Sequence, residues 1–238
     1  REHLPAGYYR LLPKLADGPL RGYPRVYGLA WAIVAHTDSR FDPDWLVRFV
    51  RAYQRVQPLT IGELWAVPIS LRIVMVENLR RLAVRIVGAQ MARQGADKFV
   101  DELLPDMGTR PADLIERAMR SLGSVSLWPA FAVQLVQRLR YRAAGTTALL
   151  EWLHREPAAH GGSTDEIVQA QHAGEAAANL TVRNLITSMR AIAAFDWRGF
   201  FEEVSLVDAA LRQDPDFVAM DFRTRDLYRH AIEDLARG

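Results

Sequence analysis

Apolar residues recur at three- and four-residue spacing along almost the whole chain, and no alternating run bounded by turn residues interrupts them. This predicts an all-α fold, an irregular multi-helix bundle or array of roughly eight to ten helices. Pro24 fits the first turn of a helix running to about His36, and the Asp38-Ser39-Arg40-Phe41-Asp42-Pro43 turn caps a second from Asp44 to about Val56. Pro58 ends it. Thr60 and Glu63 stand at capping-box spacing and start a third helix, in which Pro68 is expected to kink the axis before it resumes through Leu82 and toward Gly95. Further helices are expected at 111–122, 126–142, 146–155, from Ser163 or Thr164 to Phe195, at 197–212 and at 222–236. Polar and breaker residues gather in Glu156-Pro157-Ala158-Ala159-His160-Gly161-Gly162, dividing a helical subdomain (1–155) from a C-terminal helical segment (163–238) packed on it; one continuous domain fits as well.

The third helix has the most unusual patterning, because Glu63, Arg72, Glu77, Arg80 and Arg81 interrupt an otherwise apolar run. An unpaired charge in such a run would cost several kcal/mol, so each needs a partner or a use. In one reading Glu77 pairs with Arg80 or Arg81 along the helix and Glu63 reaches an arginine on another helix, which fixes register. In the other the arginines face a groove and take an anionic ligand or partner. A similar charge set lies in Met220–His230, where Thr224 or Asp221 can cap a helix and Arg225 can return to a carboxylate elsewhere. The two segments are candidates to meet.

Length and composition suit one large domain or two small ones: 238 residues, 50% hydrophobic and 24% charged. The net charge of +2 is weakly basic, and there is no dense basic stripe with interleaved aromatics, which argues against a nucleic-acid partner. Cysteine is absent, removing disulfides, thiolate metal sites and a cysteine nucleophile together. The longest apolar runs, 27–35 and 127–136, fall short of the roughly 20 residues of a membrane span. A start at Arg1 without a signal-peptide pattern suggests a piece of a longer protein.

Candidate chemistry is sparse. Glu151 and His154 have the Glu-x-x-His spacing of di-iron bundles, but His172 with Glu175 and His230 with Glu233 run in the reverse order, so no metal site is expected. His-Glu-x-x-His, a phosphate-binding glycine loop and a Gly-x-Ser-x-Gly elbow are all missing. Glu202 and Glu203 are adjacent, point to different faces of a helix and read as a solvated surface. Most of the six tryptophans read as core packing. Trp65, two residues from Glu63, is the best candidate for sugar contact, with Trp31 and Glu63 beside it.

Several blocks together resemble cyclic beta-1,2-glucan synthases: Leu4–Arg10, Gly22–Tyr27 with Ala35–Arg40, Gln57–Ala66 with Val76–Leu82, Ser188–Arg190 to Asp196–Arg198, and Met220–Arg229. The resemblance covers nearly the whole chain and concerns a region preceding the membrane-embedded glycosyltransferase core. It implies a parent that uses UDP-glucose and a divalent metal at the bacterial inner membrane, with this region on the cytoplasmic side. The core's metal-binding aspartates and Gln-x-x-Arg-Trp signature do not occur here, so no catalytic residue is expected in this segment. Gln171-His172-Ala173-Gly174-Glu175 departs from the amide-rich pattern of the family, which leaves His172 without an implied role. The expected function is a non-catalytic helical module that docks against other modules of the synthase. The alternatives are a glucan-binding or chain-handling surface and an independent helical enzyme acting on glycans.

Overall fold

The computed structural model describes residues 7–103, 128–140 and 164–237. Among them are nine α-helices and no strand. These are α1 (Arg25–His36), α2 (Pro43–Gln54), α3 (Ile61–Leu103), α4 (Trp128–Arg140), α5 (Thr164–Ala194), α6 (Trp197–Val204), α7 (Leu206–Leu211), α8 (Pro215–Ala219) and α9 (Phe222–Arg237). The all-α expectation holds. The helices expected at 111–122 and 146–155, the 156–162 stretch, Glu151 and His154 lie outside the described residues.

Local chemistry sets the helix boundaries. Asp42 caps α2 by accepting from the Trp45 amide at 3.0 Å, with Pro43 in the first turn. Thr60 and Glu63 form the expected reciprocal box: Thr60 Oγ1 accepts from the Glu63 amide at 3.1 Å, and Glu63 Oε2 accepts from the Thr60 amide at 2.9 Å. α3 then continues through Pro68 to Leu103, well past Gly95. The helix expected at 197–212 is two helices. Ser205 takes an extended conformation (φ −71°, ψ 119°), ends α6, and caps α7 by accepting from the Asp208 amide at 3.2 Å. Asp196 caps α6, and Asp221 caps α9 by accepting from the Thr224 amide at 2.7 Å.

The chain groups into two units, Arg1–Asn78 with Arg183–Gly238, and Leu79–Val182. In the first, Val26, Leu46, Leu64, Leu71, Leu185, Phe200 and Phe201 form the core, and α2 packs on α6. Gln54 joins that pair by donating to the Val204 carbonyl at 2.8 Å. In the second, Leu82, Ala92, Ala96 and Val100 of α3 are buried, as are Phe131, Leu135 and Val136 of α4 and Ala178 of α5. Gln134 donates to Asp97 at 2.9 Å, and Arg138 pairs with Asp97 and Asp101, each at 3.0 Å.

The α1–α2 turn contains two consecutive non-glycine residues at positive φ, Asp38 (48°) and Ser39 (62°). Such residues persist only where surrounding groups hold them. Ser39 is fully buried, its amide donates to the Val34 carbonyl at 2.9 Å and its Oγ accepts from Asn78 at 2.8 Å. Asn184 donates to the Asp38 carbonyl at 3.0 Å, and Ser188 Oγ accepts from the Phe41 amide at 2.8 Å.

Candidate functional site: an arginine and carboxylate core

Two buried ion clusters, both in the first unit, are the chemically dense parts of the molecule. In one, Glu63 is fully buried at the start of α3 and receives the guanidinium of Arg25 side-on, Nε to Oε1 at 2.8 Å and Nη2 to Oε2 at 2.6 Å. Arg25 also donates to the Pro58 carbonyl at 3.0 Å and lies 5.9 Å from the Tyr53 ring centroid. The hydrogen bonds to Glu63 raise the Arg25 pKa above its ordinary value against the opposing effect of burial. Glu63 therefore has three protein partners, Arg25, the Thr60 amide and the Thr60 hydroxyl, and is committed to structure.

The second cluster centres on Arg229 of α9, which is fully buried. Its Nε donates to Asp208 Oδ1 at 3.0 Å and its Nη2 donates to Glu202 Oε1 at 2.8 Å and to Asp208. Arg212 meets both carboxylates, Asp208 by its Nε and Glu202 Oε2 at 2.8 Å by its Nη2. Arg225 reaches Glu202 Oε1 at 2.8 Å and donates to the Met220 carbonyl at 2.8 Å. The bond to Asp208 is the first cause raising the Arg212 pKa. The rings of Phe201, Phe222 and Phe217 surround the Arg229 guanidinium, with centroids at 5.1, 5.2 and 5.8 Å.

Trp65 belongs to the same layer. Its ring stacks on Phe201 at 4.6 Å and 13°, and meets Phe222 edge-on at 6.1 Å. One ring face is thus taken by Phe201 instead of standing open for a sugar. Trp31 is half-buried at the end of an aromatic row that leads into α1, in which Tyr23, just before the helix, stacks on Tyr27 at 5.2 Å and Tyr27 lies 6.4 Å from Trp31. Tyr23 is exposed.

The structure sorts the charges singled out from sequence. Glu63 has its arginine on another helix, and Arg225 has its carboxylate on α6, while Asp221 is an exposed cap whose pKa the Thr224 amide lowers. Arg72 and Glu77 are half-buried and Arg80 and Arg81 exposed; Glu77, Arg80 and Arg81 are none of them without a partner. The third helix and the 220–230 segment do meet, through Trp65 and Phe222.

Glu202 corrects the solvated-face reading of Glu202 and Glu203. It turns inward to three arginines, and only Glu203 stays at the surface, paired with Arg51 at 3.1 Å. Adjacent residues on one helix diverge, which sends one carboxylate to the core and the other to solvent. Arg25, Asp208, Arg212 and Arg229 were not legible as site residues. The available signal was the four-residue spacing of Asp208 with Arg212, across the end of α7, and of Arg225 with Arg229 on the amphipathic α9.

Among the described residues no group of three or more His, Cys, Asp or Glu could hold a metal ion. The fully buried Glu63 and Asp208 and the half-buried Glu202 are each occupied by arginine, so their donor chemistry does not suit a divalent cation. In the second unit, an open cavity of about 810 Å³ is lined by residues including Gly88, Ala89, Ala130, Gly174, Ala178 and Arg85. Arg93 and Glu175 are paired on its wall; hydrogen bonds from Gln171 and then Arg93 lower the Glu175 pKa.

No family model matches the chain. Over 242 aligned residues, covering the whole of it, the chain is 35% identical to the cyclic beta-(1,2)-glucan synthase NdvB of Rhizobium meliloti (strain 1021). It spans 8% of that protein's length. The chain is homologous, along its full length, to one region of that synthase.

Proposed function

From this homology to one region of a cyclic beta-1,2-glucan synthase, we propose that the chain is a non-catalytic helical module of such an enzyme. It organises the parent by packing against other modules. The observation that carries this reading is the closure of the inward-facing carboxylates: the fully buried Glu63 and Asp208 and the half-buried Glu202 are each bound by arginine. A general acid or nucleophile has to reach substrate, and a carboxylate held by two or three guanidinium donors inside a core does not. UDP-glucose and its divalent metal would be handled elsewhere in the parent, and the module would lie on the cytoplasmic side of the bacterial inner membrane.

The test has two arms. Titration of the 238-residue chain with linear and cyclic beta-1,2-glucans, and with UDP-glucose and magnesium, should give no heat of binding at millimolar ligand and no turnover. Co-expressed with a homologous synthase lacking this region, the chain should co-purify with it; failure to associate would overturn the module reading. A second reading, glucan handling, draws on the Tyr23, Tyr27 and Trp31 row, since sugars stack on exposed aromatic rings. Glucan binding abolished by Trp31→Ala but kept in Trp65→Ala would favour it.

A further inference from the structure

The cavity of the second unit lies between two helix faces built from small side chains. Arg85, Gly88, Ala89 and Arg93 recur at three- and four-residue intervals on α3 and line one wall. Gln171, Gly174, Glu175 and Ala178 do the same on α5 and line the other, and Ala130 of α4 joins them. Helices that present glycine and alanine to one another can approach closely, since side-chain size sets the interaxial distance. Here they stay apart: a Cβ placed on Gly174 would meet nothing within 4 Å, and about 810 Å³ is left open. The Arg93–Glu175 ion pair crosses between the walls as a strut. A space of this size is in the range of small-molecule pockets.

The lining narrows the chemistry of an occupant. None of the described residues that form it is aromatic, so neither a sugar ring nor a nucleobase finds a stacking surface. Its one carboxylate, Glu175, is taken by Arg93 and Gln171, which leaves no acidic group for a cation. Arg85 differs from Arg93: it lines the cavity, is exposed, and among the described residues forms no ion pair or hydrogen bond. Arg85 and Arg93 against Glu175 leave one positive charge in excess, beside a wall that is otherwise mainly aliphatic carbon and glycine backbone.

We propose that this cavity binds a single-chain anionic amphiphile. The alkyl chain lies along Gly88, Ala89, Ala130, Gly174 and Ala178, and the carboxylate or phosphate head takes the Arg85 guanidinium. A guanidinium offers either head a fork of N–H donors, and the chain gains by leaving water for the apolar wall. The site goes beyond the glucan synthase reading and does not depend on it, since no carbohydrate is needed to fill it.

Calorimetric titration of the 238-residue chain tests it, with laurate and dodecyl phosphate below their micelle-forming concentrations. At least one of them should bind at a single site per chain, and the tighter of the two identifies the head as carboxylate or phosphate. Acetate and inorganic phosphate, which are heads without a chain, and dodecyl maltoside, which has the same chain on a neutral head, should bind at least about ten-fold more weakly. Gly174→Leu fills the cavity from a position where the new side chain starts in open space, so it should abolish binding. Its melting temperature should be held or raised, because leucine replaces glycine inside a helix. Arg85→Gln should weaken binding about ten-fold, and Arg48→Gln, an exposed position on α2, should leave it unchanged. No binding of either anionic probe, binding that survives Gly174→Leu or Arg85→Gln undiminished, or equal binding of dodecyl maltoside would overturn the proposal.

Discussion

Arg25 and Glu63 show how a charge tolerated inside an apolar run is to be understood. Removing the cation leaves a fully buried carboxylate with only the Thr60 groups as donors, so Arg25→Ala should cost about 3 to 5 kcal/mol in urea denaturation. Arg25→Met with Glu63→Leu should recover most of that loss, because an apolar pair of similar volume removes the desolvation penalty on both sides. A double variant as unstable as the single one would mean the pair does more than balance its own charges. Asp221 supplies a pH test. Its folded pKa lies below the ordinary 3.8, so the carboxylate's cap on α9 contributes above that value and is lost as pH falls through the folded one. Asp221→Ala should lower the melting temperature at neutral pH and converge with the parent chain in strong acid. The embedded position of Glu63 and the capping role of Asp221 were legible, since spacing and residue type suffice for a capping box and an Asp cap. Arg25 as partner was not, because nothing in a linear pattern says which surface of α1 will face the start of α3.

At the scale of elements, helix starts were more legible than helix continuity. Pro43, Thr60 and Asp221 act through local geometry, and each begins a helix within a residue or two of where spacing puts it. The break at Ser205 escaped notice because 197–212 keeps a helical apolar period across it; the evidence for the break is a serine that caps the helix after it. Ser205→Ala should cost about 1 kcal/mol, measurable as a lowered urea midpoint. The Asp38-Ser39 turn permits a sharper comparison. Ser39→Gly relieves the positive φ but removes the acceptor for Asn78, whereas Ser39→Ala keeps the strain and removes the same acceptor. The alanine variant should therefore be the less stable of the two, by about 1 kcal/mol on thermal melting.

The whole molecule is where the sequence was least informative. An all-helical chain of this length has many ways to group its helices, and apolar periodicity marks which face of each is buried without saying against what. The observed grouping joins Arg1–Asn78 to Arg183–Gly238, a pairing of distant segments that no local pattern encodes. Each unit has its own core, so Leu135→Ala, at a fully buried site in α4, should cost about 2 to 5 kcal/mol and accelerate hydrogen exchange across Leu79–Val182 more than in α6 to α9. Uniform acceleration would mean the two cores open together. The discontinuity also sets a schedule for biosynthesis. The strained turn after α1 is secured by Asn184 and Ser188, synthesised some 146 residues later, and Arg229 comes later still. On the ribosome the first three helices emerge long before these partners exist, while Leu79–Val182 is complete in one stretch of translation. The earlier-made part of the first unit is thus among the last to reach its final form, and in the interval its apolar faces lack the partners that bury them.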